Sequence, residues 1–181
     1  MADLSGKHIA IIATDFFEEA ELVTPRDELR DQGARVTVWS TGTGPIQAVE
    51  GDTDKKQLVE VDGAFADLDV ASIDALVVPG GTVNADRIRV DEDAQAIVQA
   101  VDEAGKPLAV ICHGPWILVS SGLVKERTLT SYGSLADDVR NAGGNWVDQE
   151  VVVDGNLITS RNPDDLPAFI EAIAGSLAGQ P

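Results

Sequence analysis

At 181 residues the chain has room for one substantial core and is short for two, and its 44% hydrophobic share is that of an ordinary soluble globular protein. Its 31 acidic and 13 basic side chains leave a formal charge of −18, which repels nucleic acid and anionic lipid and argues against either as a partner. No apolar run reaches the roughly 20 residues of a membrane span, and Met1-Ala2-Asp3-Leu4 lacks the basic-then-apolar pattern of a secretory leader. A single cysteine excludes an internal disulfide and fits a cytoplasmic location, while two histidines and one cysteine are too few for a typical structural zinc site. No metal and no cofactor is expected.

In chain order, strands and helices alternate. Lys7–Ala13 is a continuous apolar run, the mark of a central parallel strand covered on both faces. Glu18–Gln32 has apolar residues at helical spacing and stops at Gly33. Arg35–Trp39 reads as a second strand, and Thr41–Asp69 is irregular, with room for a small antiparallel excursion. Asp74–Pro79 is a strand ending on Gly80-Gly81. Asp91–Ala104 is helical up to Gly105, and Lys106-Pro107 leads into a strand that reaches Cys112. Pro115–Ser121 opens the next helix, Leu135–Asn141 another, Val151–Thr159 a hairpin turning at Asp154-Gly155-Asn156, and Pro163–Leu177 a last helix. The alternation predicts one α/β domain over residues 1–181, a doubly wound, mostly parallel three-layer sandwich.

In an open parallel sheet, ligands gather beyond the carboxyl ends of the strands. Three unusual segments fall there: Thr14–Glu21, Gly80–Asp86 and Cys112-His113. Pro107–Trp116 reads as a buried strand running into a sharp turn at Cys112, before a Gly-Pro pair that can open a helix. Such a turn exposes its central side chain at the positive end of a helix, which predicts a reactive thiol more acidic than a free one. The alternative is a small buried apolar residue.

Asp15–Leu22 with Pro25, Val78-Pro79-Gly80-Gly81, Ala109–Trp116, Thr130-Ser131-Tyr132 and Trp146–Asn156 together resemble the PfpI branch of the ThiJ/PfpI superfamily, in the family's order and up to Pro167. The resemblance implies a flavodoxin-like sandwich (the class I glutamine amidotransferase architecture), a cysteine nucleophile and assembly into homodimers or homohexamers. It also implies one of several activities: intracellular protease, glyoxalase, deglycase or stress protein.

Carried over residue by residue, the resemblance makes Cys112 the nucleophile and Glu21 the carboxyl group beside its sulfur. Glu21 would have to be protonated or to share a proton with the thiol, because an ionised carboxylate would oppose the thiolate. Glu18, one turn earlier, is a second acid better suited to a structural hydrogen bond. His113 is the imidazole base, since His8 lies at the start of the first strand. The family draws its acid partner from a neighbouring subunit, and Asp86, on the loop after Gly80-Gly81, best matches it; an N-cap or solvated acid is the alternative. A backbone N–H of Gly80-Gly81 with that of His113 would form an oxyanion hole. Tyr132 lines the pocket or packs in the core.

Gly42-Thr43-Gly44 lacks the third glycine and the following helix of a dinucleotide loop. No histidine follows His113, which argues against an amidotransferase. The expectation is a cytoplasmic enzyme in which Cys112 attacks methylglyoxal or its glycation adducts. A cysteine peptidase and a non-enzymatic redox sensor or chaperone-like protein using Cys112 oxidation are the alternatives.

Overall fold

The computed structural model describes residues 2–179. The chain opens with strand β1 (His8–Ile12), a two-residue strand β2 (Phe17–Glu18), helix α1 (Glu19–Asp31) and β3 (Arg35–Ser40). A hairpin of β4 (Ile46–Glu50) and β5 (Asp54–Val59) precedes the short β6 (Gly63–Ala64). Then come β7 (Ala75–Val78), α2 (Thr82–Ile88), α3 (Glu92–Glu103), β8 (Leu108–Ile111) and α4 (Trp116–Ser120). The last third holds β9 (Thr128–Leu129), α5 (Ala136–Asn141), β10 (Asn145–Trp146), β11 (Val151–Asp154), β12 (Leu157–Ser160) and α6 (Leu166–Ala178).

Seven strands form the main sheet in the order β11-β12-β8-β7-β1-β3-β6. All neighbours are parallel except β11 and β12, which are joined by the turn at Gly155-Asn156. The central strands are apolar because both faces are covered. Ile9 and Ile11 of β1 pack with Leu22 and Leu29 of α1 and Phe169 and Ile173 of α6. Ala10 and Ile12, which point the other way, pack with Val98 and Val101 of α3 and Ile117 and Leu118 of α4. Each such buried Ile or Leu contributes about 1.5–3 kcal/mol. The result is the mostly parallel three-layer sandwich that the alternation predicts.

From β1 the chain moves outward to β3 on one side and later returns to β7 on the other. Strand order therefore reverses between β1 and β7, and the carboxyl ends of β1, β7 and β8 lie side by side at that switch point.

Several boundaries differ from expectation. Helix α1 starts at Glu19, because Phe17 and Glu18 pair with Ala48 and Val49 of β4. The irregular region builds a small sheet in which β4 and β5 are antiparallel but β2 and β4 are parallel. Residues after Gly81 form helix α2, so Asp86 sits on a helix and not on a loop.

Candidate active site

Cys112 follows β8 directly and adopts φ 62°, a left-handed conformation that a non-glycine residue seldom takes. Its N–H donates to the Ser160 carbonyl (3.0 Å), and its carbonyl accepts from the Tyr132 N–H (2.8 Å), so both sides of the turn are held. Gly114 is obligatory behind it: a Cβ there would lie 2.8 Å from the Ile111 carbonyl oxygen. The sharp strand-to-helix turn read from the sequence is present.

Glu21 reaches the same point from α1 and is completely buried. Its Oε2 accepts the Gly80 N–H at 2.7 Å, and its carboxyl group interacts with the Cys112 sulfur. Oε1 is buried without a hydrogen-bond partner. Gly80 permits this crowding, since a Cβ there would come 2.6 Å from Glu21 Oε2 and 2.7 Å from the Cys112 Cβ. Gly81 has φ 85° and lies so close to Phe16 and Glu18 that a Cβ would meet the Phe16 carbonyl oxygen at 2.5 Å.

Burial pushes the Glu21 carboxyl up to about 8, against the pull of the Gly80 N–H, so it holds its proton at neutral pH. The Cys112 thiol is pushed up as well, first by burial and then by any negative charge on Glu21. This runs against the expectation, from the sharp turn and the helix after it, of a thiol more acidic than a free one: α4 has five residues, and desolvation outweighs it. Downward pull comes from the backbone N–H groups of His113 and Gly81 beside the sulfur. The Gly80 N–H is already committed to Glu21, so of the glycine pair only Gly81 offers its N–H here.

His113 turns its Nδ1 to within 3.3 Å of the Cys112 Sγ, while Nε2 lies 3.5 Å from the Ser134 hydroxyl. The ring stacks on Tyr132 (4.5 Å between centroids) and meets the edge of Trp116. Burial lowers its pKa, with the nearby Asp52 charge opposing. Tyr132 is 44% exposed, which rules out simple core packing. His8, by contrast, binds the Thr37 hydroxyl through Nε2 (2.8 Å) at the opening end of β1.

A cleft of about 230 Å³ brings Glu18, Glu21, Cys112, His113 and Tyr132 together, with Gly81 and Pro163 in its wall. Glu18 Oε2 accepts the Gly51 N–H (3.0 Å). Asp86 is exposed on α2 and does not line the cleft of its own chain.

A model of the DJ-1/PfpI family matches residues 7–175. The chain belongs to the DJ-1/PfpI family. It is 44% identical over 162 residues to the deglycase TK1284 of Thermococcus kodakarensis, covering 90% of this chain and 94% of that one. It is 40% identical over 166 residues to the protein/nucleic acid deglycase 2 of Escherichia coli, covering 91% and 94% respectively. The crystal structure of Drosophila melanogaster DJ-1beta superposes with a TM-score of 0.85 at 31% identity, covering 96% of this chain and 91% of that one.

Within this DJ-1/PfpI fold, sequence reasoning missed two contributors. Asp52 lines the cleft from the β4–β5 turn, its oxygens accepting the Thr82 N–H (2.7 Å) and hydroxyl (2.8 Å). Gly51-Asp52 was readable as a turn between two strand-like runs, but only the parallel pairing of β2 with β4 brings that turn to the site. Asn84, completely buried, accepts the Thr14 N–H (2.6 Å) and donates to the Pro79 and Gly80 carbonyls (3.2 and 2.9 Å). It ties the end of β1 to the end of β7. Among the described residues no cluster of His, Cys, Asp and Glu could hold a metal ion, and no helix is long and apolar enough to cross a membrane.

Proposed function

We propose that the protein is a cysteine-dependent deglycase that releases amines from their methylglyoxal adducts and also consumes free methylglyoxal. The observation that carries this reading is a completely buried Glu21, its pKa raised by that burial, against a cysteine held in a left-handed strand-to-helix turn. The deglycase names of the relatives support it. The small cleft favours a small carbonyl over a folded polypeptide.

In this reading His113 takes the thiol proton through Nδ1, a role supported by its 3.3 Å distance from Sγ and by burial that keeps the ring neutral. The Cys112 thiolate attacks the carbon that bears nitrogen and hydroxyl in the adduct, and the C–N bond breaks. Glu21 gives its proton to the departing amine, leaving a hemithioacetal on the sulfur. The carboxylate so formed takes the C1 proton, and a proton returns to C2, giving a lactoyl thioester. The N–H groups of Gly81 and His113 hold the oxygen that carries negative charge. Water then cleaves the thioester, so that adduct plus water yields amine plus lactate and the thiol is restored. Free methylglyoxal enters at the hemithioacetal.

The protein would do this in the cytoplasm as a homodimer or homohexamer, with Asp86 of one subunit orienting His113 of the next. The exposed position of Asp86, outside its own cleft, supports that part. The test is to incubate purified protein with methylglyoxal-modified N-acetylarginine and, separately, with a generic peptide. Release of lactate and free N-acetylarginine, abolished in Cys112→Ala, is the expected result. Absence of lactate, or cleavage of the peptide instead, would overturn it.

A further inference from the structure

The cleft carries a charge as well as a shape. Glu18 and Asp52 stand in its wall with Cys112 and His113, and among the described residues no Lys or Arg lines it. Neither carboxylate is neutralised. Asp52 spends both oxygens on the uncharged donors of Thr82, and Glu18 accepts from the backbone of Gly51. The cations of the same hairpin are engaged elsewhere, Lys55 over the Phe16 ring and Lys56 with Glu50. Glu21, completely buried, closes the same cleft behind Cys112. The chain as a whole adds a field of the same sign, with a net charge of −18.

We propose that Asp52, supported by Glu18, is the specificity-determining residue of this cleft and filters electrophiles by charge. Cationic adducts, with a guanidinium or ammonium group near the reacting carbon, enter in preference to neutral ones. Carbonyl compounds bearing a carboxylate are rejected, and the carboxylate product is expelled. The natural substrate class named here rests on the deglycase reading above. The filter itself does not.

The single cysteine allows a direct test. Cys112 is modified with a cationic and an anionic methanethiosulfonate reagent of similar size. In each, the thiolate takes the sulfenyl sulfur and a sulfinate leaves, so only the charge differs. The cation-to-anion ratio of second-order rate constants is divided by the same ratio for 2-mercaptoethanol. Two uncompensated carboxylates should give a normalised ratio of about 100, roughly tenfold per charge. Asp52→Asn keeps a residue tolerant of φ 65° and can still pair with both Thr82 groups, so it removes charge alone. It should lower the ratio about tenfold, and Glu18→Gln should act in the same direction. About 0.5 M salt should compress the wild-type ratio without any substitution. A normalised ratio near one, or a wild-type ratio indifferent to salt, would overturn the filter; so would a folded Asp52→Asn that matches wild type. Failure of lactate release with an intact ratio would sink the deglycase reading alone, and the reverse pattern would sink the filter alone.

Discussion

Glu21 Oε2 accepts the Gly80 N–H at 2.7 Å, so the carboxyl group that interacts with the Cys112 sulfur is anchored to the strand end beside it. One carboxyl thereby links α1, β7 and the turn after β8. Because it is uncharged at neutral pH, it can donate a proton towards the sulfur instead of repelling a thiolate.

This buried acid makes stability depend on pH. Its pKa is raised from 4.5 to about 8 in the folded protein. Below pH 4.5 it is protonated whether folded or unfolded, and its contribution is fully present. As pH rises the unfolded chain releases the proton first, so stability falls by a few kcal/mol in total and levels off above about pH 8. Glu21→Gln keeps an oxygen for the Gly80 N–H and should remove most of that slope. Urea melts of both proteins between pH 4 and pH 9 check this, and parallel curves would contradict it.

The same substitution separates chemistry from fold. Above about pH 8 wild-type Glu21 is ionised and opposes the thiolate; Gln removes that charge, so the midpoint of iodoacetamide alkylation should drop by about one pH unit relative to wild type. Turnover should nevertheless fall about 100-fold or more, because an amide cannot give and retrieve a proton. A variant with an easier thiolate and full turnover would remove Glu21 from the reaction.

The parts of this arrangement visible in the sequence were those written as runs. The apolar strands before Thr14, Gly80 and Cys112 announce a buried parallel sheet, and the sheet rule then groups their ends. The turn at Cys112 was legible because Ile111 ends an apolar run and Gly114-Pro115 follows. Asp52 was not, since its place depends on a two-residue strand, Phe17–Glu18, too short to carry any periodicity. Helix α2 escaped for a related reason: with seven residues it is under two full turns beyond its caps, and its start after Gly81 has no side-chain cap. The thiol's upward shift was also invisible, because burial of Cys112 and Glu21 is a property of packing and not of spacing.

Asn84 should prove a positioning residue for the whole site. Asn84→Ala leaves the buried Thr14 N–H unpaired and removes a donor from the Pro79 and Gly80 carbonyls, at a cost of about 2–4 kcal/mol. Because Gly80 also carries the Glu21 contact, the alkylation profile of Cys112 should shift along with the urea midpoint. A loss of stability with an unchanged profile would mean that Asn84 only holds the fold.

Asp86 bears on how many chains make one site. Within its own chain it is exposed on α2 and outside the cleft, while His113 meets only the Ser134 hydroxyl at Nε2. If Asp86 orients His113 across an interface, Asp86→Ala should cut turnover while the iodoacetamide profile of Cys112 stays as in wild type. That profile depends on the chain's own Glu21, Gly81 and His113 backbone. Cys112→Ala is inactive but keeps Asp86, and Asp86→Ala keeps Cys112. Mixed in equal amounts and allowed to exchange subunits, the two should regain activity, because a hybrid dimer contains one complete site. Random pairing puts that recovery at about a quarter of the wild-type sites. Mass spectrometry of the intact assembly verifies that hybrids have formed. Hybrids without activity would make the shared site wrong and leave His113 to work with Ser134 and the field of Asp52 in its own chain.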